Sequence, residues 1–154
     1  MKRILLLLSI LFISANTGAS TDVFDAKQFA QKYFNAWKAT QSPQATKSDI
    51  QSYLSLLKDD VGHQHLPYDP QATRELDGKQ RIMEGMLYYL GTHTEYAATL
   101  ATIVAGYQVV VIKYNTQLAG KHPQTGEFMT LSYDTVEVLE IEDGKVAVIR
   151  KYSE

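Results

Sequence analysis

Three polar side chains stand among apolar neighbours along this chain, and each belongs to a type that moves or holds protons: Tyr33, His65 and Glu137. An imidazole with an ordinary pKa of about 6.5 is a competent general base near neutrality. A carboxyl removed from water holds its proton more tightly than an exposed one, which suits it to acid or donor roles. Tyr33 lies on an aromatic helix face, where it serves either as a donor or as core packing. The setting of Glu137 depends on which side of its strand faces inward. It alternates with Leu131, Tyr133, Thr135, Leu139 and Ile141, whereas Asp134, Val136, Val138 and Glu140 occupy the other side. Alternation alone leaves both faces open as the buried one.

Two further arrangements have chemistry in them. His63 and His65 are two apart in an alternating stretch, so both rings project to one side and form half of a zinc-type site, with His93 or Glu95 as the candidate third ligand. Two histidines make a weak signal, and the expectation is no metal. Arg150 is a candidate partner for Glu137 or for an anionic ligand. There is no phosphate-cradling glycine loop, no G-x-S-x-G elbow, no H-E-x-x-H helix and no cysteine, so a nucleotide cofactor or a covalent thiol mechanism is not expected.

The elements that must position these groups read clearly. Ala26, Phe29, Ala30, Tyr33, Phe34 and Trp37 recur at helical spacing after Asp25, with Gln28 in capping register. Gln41-Ser42-Pro43 ends that helix. Ser48 and Gln51 open a second, whose Ile50, Tyr53, Leu54 and Leu57 share a face and which ends near Lys58. Residues 61–66 alternate as a strand. A loop containing Pro67 and Pro70 leads to Asp77-Gly78 and a third helix carrying Ile82, Met83, Met86, Leu87 and Leu90, ended by Gly91. Residues 96–104, 107–118, 128–141 and 146–152 are rich in Val, Ile, Thr and Tyr and read as strands. Asp143-Gly144 between the last two is a strong hairpin signal. The expected class is α+β, three N-terminal helices packed on a curved, mainly antiparallel sheet.

The chain has 154 residues, 45% hydrophobic and 21% charged, enough for a single domain with a true core. A net charge of −2 with no basic block argues against nucleic-acid binding. Met1-Lys2-Arg3, an apolar run from Ile4 to Ile13 interrupted only by Ser9, and a small polar stretch before Ser20 make a secretory signal peptide over 1–19. Cleavage after Ala19 fits the small-x-small rule, with Ala15 and Ser20 as alternatives. The exported domain, 20–154, then carries thirteen basic and seventeen acidic residues. A periplasmic or secreted protein is expected, with no stable membrane anchor once the leader is removed.

The order of elements, the Leu76-Asp77-Gly78-Lys79-x-x-Ile82 helix start, the Lys58-Asp59-Asp60-Val61 step and the Glu142-Asp143-Gly144-Lys145-Val146 hairpin resemble the nuclear-transport-factor-2-like superfamily and its SnoaL-like group. The resemblance spans essentially the whole exported chain. It implies a cone with an internal, mostly apolar pocket and a homodimer through the outer sheet face, and little about chemistry, since the superfamily mixes enzymes with binding proteins. By position, Tyr33, His65 and Glu137 resemble the helix tyrosine, strand base and late-strand acid of the ketosteroid-isomerase branch, although a histidine stands where that branch has an aspartate. The final strand, 148–151, lacks the carboxylate of the SnoaL cyclases, and the chain lacks the Asp-Arg-Asp arrangement of the epoxide hydrolases. The leading expectation is a small hydrophobic ligand held by Tyr33, Trp37, His63, His65, Met86, Tyr133 and Glu137. The alternative is a cofactor-independent isomerase, lyase or dehydratase with His65 as base and Tyr33 and Glu137 as oxyanion donors.

Overall fold

A computed structural model describes residues 24–153; the signal peptide expected over 1–19 lies outside them. The order is α1 (Ala26–Thr40), α2 (Lys47–Leu54), β1 (Leu57–Leu66), α3 (Gly78–Tyr89), β2 (His93–Gly106), β3 (Val109–Lys121), β4 (Phe128–Glu142) and β5 (Lys145–Ser153). The class is α+β and the sheet mainly antiparallel, as expected, with one correction. The helices do not all precede the sheet, because β1 separates α2 from α3. The sheet, ordered β1-β5-β4-β3-β2, is mixed: β1 runs parallel to β5 and every other pair is antiparallel.

Local chemistry accounts for the element ends. The Asp25 carboxylate caps α1 by accepting from the amides of Lys27 and Gln28, both at 3.0 Å. The second helix starts on Thr46 rather than Ser48. Thr46 donates through both its amide (2.8 Å) and its hydroxyl (2.6 Å) to Asp49, a carboxylate cap partner that Gln51 cannot match. The same helix stops at Leu54, short of Lys58, because Leu57 already pairs with Val146. The charged step that follows is held in extended form by tertiary ion pairs: Lys58 with Glu142 and Asp143, Asp59 with Lys79, and Asp60 with Arg74. The last hairpin turns on Asp143 (φ 51°) and Gly144 (φ 72°), the pair of left-handed residues that a two-residue turn requires.

The core lies between the inner sheet face and α1 with α2. Phe29, Ala30, Tyr33, Phe34 and Trp37 bury the aromatic stripe of α1 against Val110, Ile112, Tyr114 and Leu139 of β3 and β4. The third helix is different: of its residues only Gly78 is buried, and Ile82, Met83, Met86 and Leu87 are half-covered. Gly78 comes so close to β1 that a Cβ there would overlap the Val61 carbonyl. The helix is therefore pinned at its N-terminus and only partly covered along the rest of its length, where Ile82, Met83, Met86 and Leu87 pack against the edge of the core.

Candidate functional site

The register of β4 resolves the ambiguity over Glu137. Thr135, Glu137, Leu139 and Ile141 are buried, and the side that carries Asp134, Val136, Val138 and Glu140 faces outward. Glu137 is 2% exposed, directly opposite Ile112 on β3 and Lys151 on β5. Its two oxygens are both engaged. The Tyr33 hydroxyl donates to Oε2 at 3.0 Å and the Tyr114 hydroxyl to Oε1 at 2.6 Å. The Tyr53 hydroxyl lies 3.0 Å from that of Tyr33. A phenol has one proton, and Tyr33 spends its own on Glu137, so Tyr53 is the donor in that contact. Burial, and after it the charge of Glu137, push the Tyr33, Tyr53 and Tyr114 phenols well above the ordinary tyrosine range. All three are thereby fixed as donors at physiological pH.

The next polar group on this row is one the sequence analysis passed over in favour of its neighbour. Arg150 points outward and pairs with Glu140 at 3.0 Å, so it meets neither Glu137 nor the interior. Lys151 points inward. Its Nζ is 3.9 Å from Glu137 Oε1 and 5.0 Å above the centre of the Trp37 ring, with the side chain 13% exposed. Burial lowers the pKa of this ammonium and Glu137 partly opposes the shift. On the far side of β5, His65 is the cross-strand partner of Lys151, and His63 that of Ile149. The two histidines share one side of β1, rings 6.1 Å apart, as alternation required. Burial first, then the Lys151 charge, lowers both; His65 falls to about 4, so its imidazole is neutral at neutral pH. Among the described residues no three His, Asp or Glu side chains are arranged to hold a metal. His93, one of the expected third ligands, instead contacts the Gln41 carbonyl at 2.8 Å and stacks on Tyr96.

A cavity of about 440 Å³ lies under α3. Of the expected ligand-pocket residues, Trp37, His63 and Met86 line it; Tyr33, His65, Tyr133 and Glu137 are not among its walls. Residues from the end of α1, from α3 and from the 69–75 loop complete it, so the wall mixes apolar and polar groups and differs from the mostly apolar pocket implied by the resemblance. A second set of hydroxyls sits deeper along the sheet. Tyr96 and Tyr133 both face the Thr116 hydroxyl, yet neither Tyr96 nor Thr116 completes a hydrogen bond. Trp37 joins the two regions, edge-on to Tyr96 at 6.1 Å and tilted against Tyr114 at 4.8 Å.

No protein-family model matches this sequence and no curated protein matches it significantly. Solved structures do resemble it. A protein described as a SnoaL-like polyketide cyclase from Shewanella putrefaciens CN-32 superposes with a TM-score of 0.65 at 16% identity, over 83% of this chain and 88% of that one. An LEH-like epoxide hydrolase of M. tuberculosis gives 0.61 at 16% identity, over 84% and 82%. A protein described as a ketosteroid isomerase from Kribbella flavida DSM 17836 gives 0.60 at 17% identity, over 84% and 77%. The fold is the α+β cone that these SnoaL-like, epoxide-hydrolase and ketosteroid-isomerase structures share. At these identities the likeness carries architecture alone, and the chemistry has to be argued from the residues of this cone.

Sequence reasoning missed Tyr53, Tyr114 and Lys151 as members of the polar row. Tyr114 alternates with Val110, Ile112 and Thr116 on β3, the same signal that singled out Glu137 on β4. Lys151 carried no such signal, because a lysine two residues from the end of a strand ordinarily reaches water.

Proposed function

We propose that this cone is an exported binding domain for a small, largely hydrophobic molecule that carries a polar group. The observation that carries the reading is the separation of the cavity from the Tyr33–Glu137 pair: the open space lies beneath α3, while both oxygens of Glu137 are spent on phenols inside the core. A cavity of about 440 Å³ walled by Trp37, Ile82, Met86 and Ile149, with His63 and Arg81 at polar positions, suits a ligand of that kind. Trp37 is the sole tryptophan of the chain, so its fluorescence reports on this cavity without labelling. Titration with small aromatic and alicyclic compounds is expected to change its emission saturably. Gly85 lines the cavity with open space around its Cβ position, so Gly85→Leu fills it and is expected to weaken binding about ten-fold or more. An unchanged affinity in that variant would place the ligand elsewhere.

The catalytic alternative keeps its own support, since Tyr33 and Glu137 are in contact and His65 is a neutral imidazole able to accept a proton. It predicts deuterium exchange from solvent into an enolisable ketone, abolished in His65→Ala. The outer sheet face carries a row of valines, Val104, Val111 and Val138, with Val104 57% exposed, and we propose it as the homodimer surface. Sedimentation of wild type and Val104→Lys checks that. Export predicts a mature N-terminus at Ser20 in the secreted or periplasmic fraction. No helix among the described residues is long and apolar enough to cross a membrane.

A further inference from the structure

The Lys151 ammonium is placed in a way that packing alone does not explain. It is recessed in the cone, yet its only carboxylate neighbour is at 3.9 Å, beyond hydrogen-bond reach, and that oxygen already accepts from Tyr114 at 2.6 Å. No hydrogen-bond acceptor of the described residues receives any of its three N–H donors, and the one remaining contact is the face of Trp37. Stranding three donors in a nearly buried position is costly unless a ligand or solvent completes them. Lys151 is not itself a wall of the cavity, but residues that touch or flank this lysine are. Ile149, two residues earlier on the same strand face, lines it, as do Trp37 beneath the amine and His63 across the strand.

We propose that Lys151 is a carbonyl-capturing amine, which forms an imine with small apolar aldehydes or ketones that enter the cavity. The inference deepens the binding function proposed above by naming the ligand class, and it rests on that reading only for the route of entry. Lys151 first loses a proton to water, since the Glu137 carboxylate at 3.9 Å is beyond direct transfer. The free amine then attacks the carbonyl carbon, forming the C–N bond, and the carbonyl oxygen takes up the proton released from nitrogen to give the neutral carbinolamine. A proton from water returns to the carbinolamine hydroxyl, which leaves as water. The product is the protonated imine, with the Glu137 carboxylate as its nearest counter-charge, so atoms and charge balance without an oxidant, reductant or cofactor. The groups that face Lys151 are matched to this role. Trp37 supplies an apolar floor, Glu137 is the nearest counter-charge to the protonated imine, and His65 and His63 are neutral at neutral pH and place no competing cation beside the amine. Desolvation raises the free-amine fraction, the usual means by which a lysine is made nucleophilic.

The test is reductive trapping on the full-length chain: benzaldehyde and sodium cyanoborohydride at pH 7, followed by peptide mapping by mass spectrometry. The expected result is a benzyl adduct at Lys151 at least about ten-fold above that at any exposed lysine, absent from Lys151→Arg, whose circular dichroism and melting confirm a folded chain. Trapping at Lys151 should persist below the pH at which surface lysines cease to react. Adducts distributed over exposed lysines with none at Lys151 overturn the proposal. If Trp37 fluorescence reports ligand binding in that same preparation, the binding function stands and the imine alone has failed; if neither signal is seen, both fall.

Discussion

The two halves of this cone are built to different standards. Between α1, α2 and strands β3 to β5 the packing is tight: Tyr33, Tyr114, Ile112 and Leu139 are at most 1% exposed, and the one carboxylate among them receives two phenolic donors. Between α3 and β1 the helix is close-packed at Gly78 and held by the Asp59–Lys79 ion pair, while its apolar side chains stay half-covered and part of that face lines a cavity. The first half shows how a buried charge is made tolerable, by satisfying its acceptors with donors that cannot themselves ionise. The second shows how access is kept, by fastening a helix at one end. A ligand site belongs where cohesion is low and a framework where it is high.

The contrast can be broken most sharply at Glu137. Replacing it with Ala removes the acceptor of Tyr33 and Tyr114, strands both hydroxyls and leaves a void, and is expected to cost about 3–5 kcal/mol, read from the urea midpoint. A loss below about 1 kcal/mol would show that the polar row does not hold the framework. The next effect separates the two glycines of α3. A Cβ at Gly78 overlaps the Val61 carbonyl, so Gly78→Ala is expected to cost about 1–3 kcal/mol and to loosen the cavity. Titration of the histidines distinguishes the halves by pH. His65 has a folded pKa of about 4 against about 6.5 unfolded, so the unfolded chain binds more protons between those values. Stability is therefore full above about pH 6.5 and falls as pH drops towards 4, by about 1–2 kcal/mol once partial exposure is discounted, with His63 acting in the same direction. His65→Asn should flatten that window, and its NMR titration midpoint checks the premise. The smallest effect runs the other way: nothing lies within 4 Å of a Cβ at Gly85, and Gly85→Ala should stabilise the helix by about 0.5–1 kcal/mol in a thermal melt. Opposite signs at Gly78 and Gly85 would show that α3 is close-packed at its start and open on one side farther along.

The legible parts of this site share a cause. Tyr33, Trp37 and Met86 lie on helices whose 3.6-residue pattern marks the inward face, and that face is inward here. His63 and His65 on one side of β1 follow from strand alternation alone. Glu137 was half-legible: alternation names two faces, and only the packing of β4 beneath α1 chooses between them. Charged residues misled in proportion to their partners. The 58–60 step lacks strand character by itself and is extended because Glu142, Asp143, Lys79 and Arg74 come from elsewhere to meet it.

Sequence by itself determined the element types, the strand-rich second half, the capped first helix, the Asp143-Gly144 turn and the α+β class, because each follows from interactions within a few residues. Tertiary structure decided the parallel pairing of β1 with β5 and, through it, the row that sets His65 beside Lys151 and Lys151 beside Glu137. It also decided that Arg150 faces water while Lys151 faces Trp37, and that α3 roofs a cavity. Those outcomes depend on groups far apart in the chain and on which of two strand faces wins the core. Local periodicity carries no information about that competition, since it is settled by the summed burial of the whole sheet against two helices.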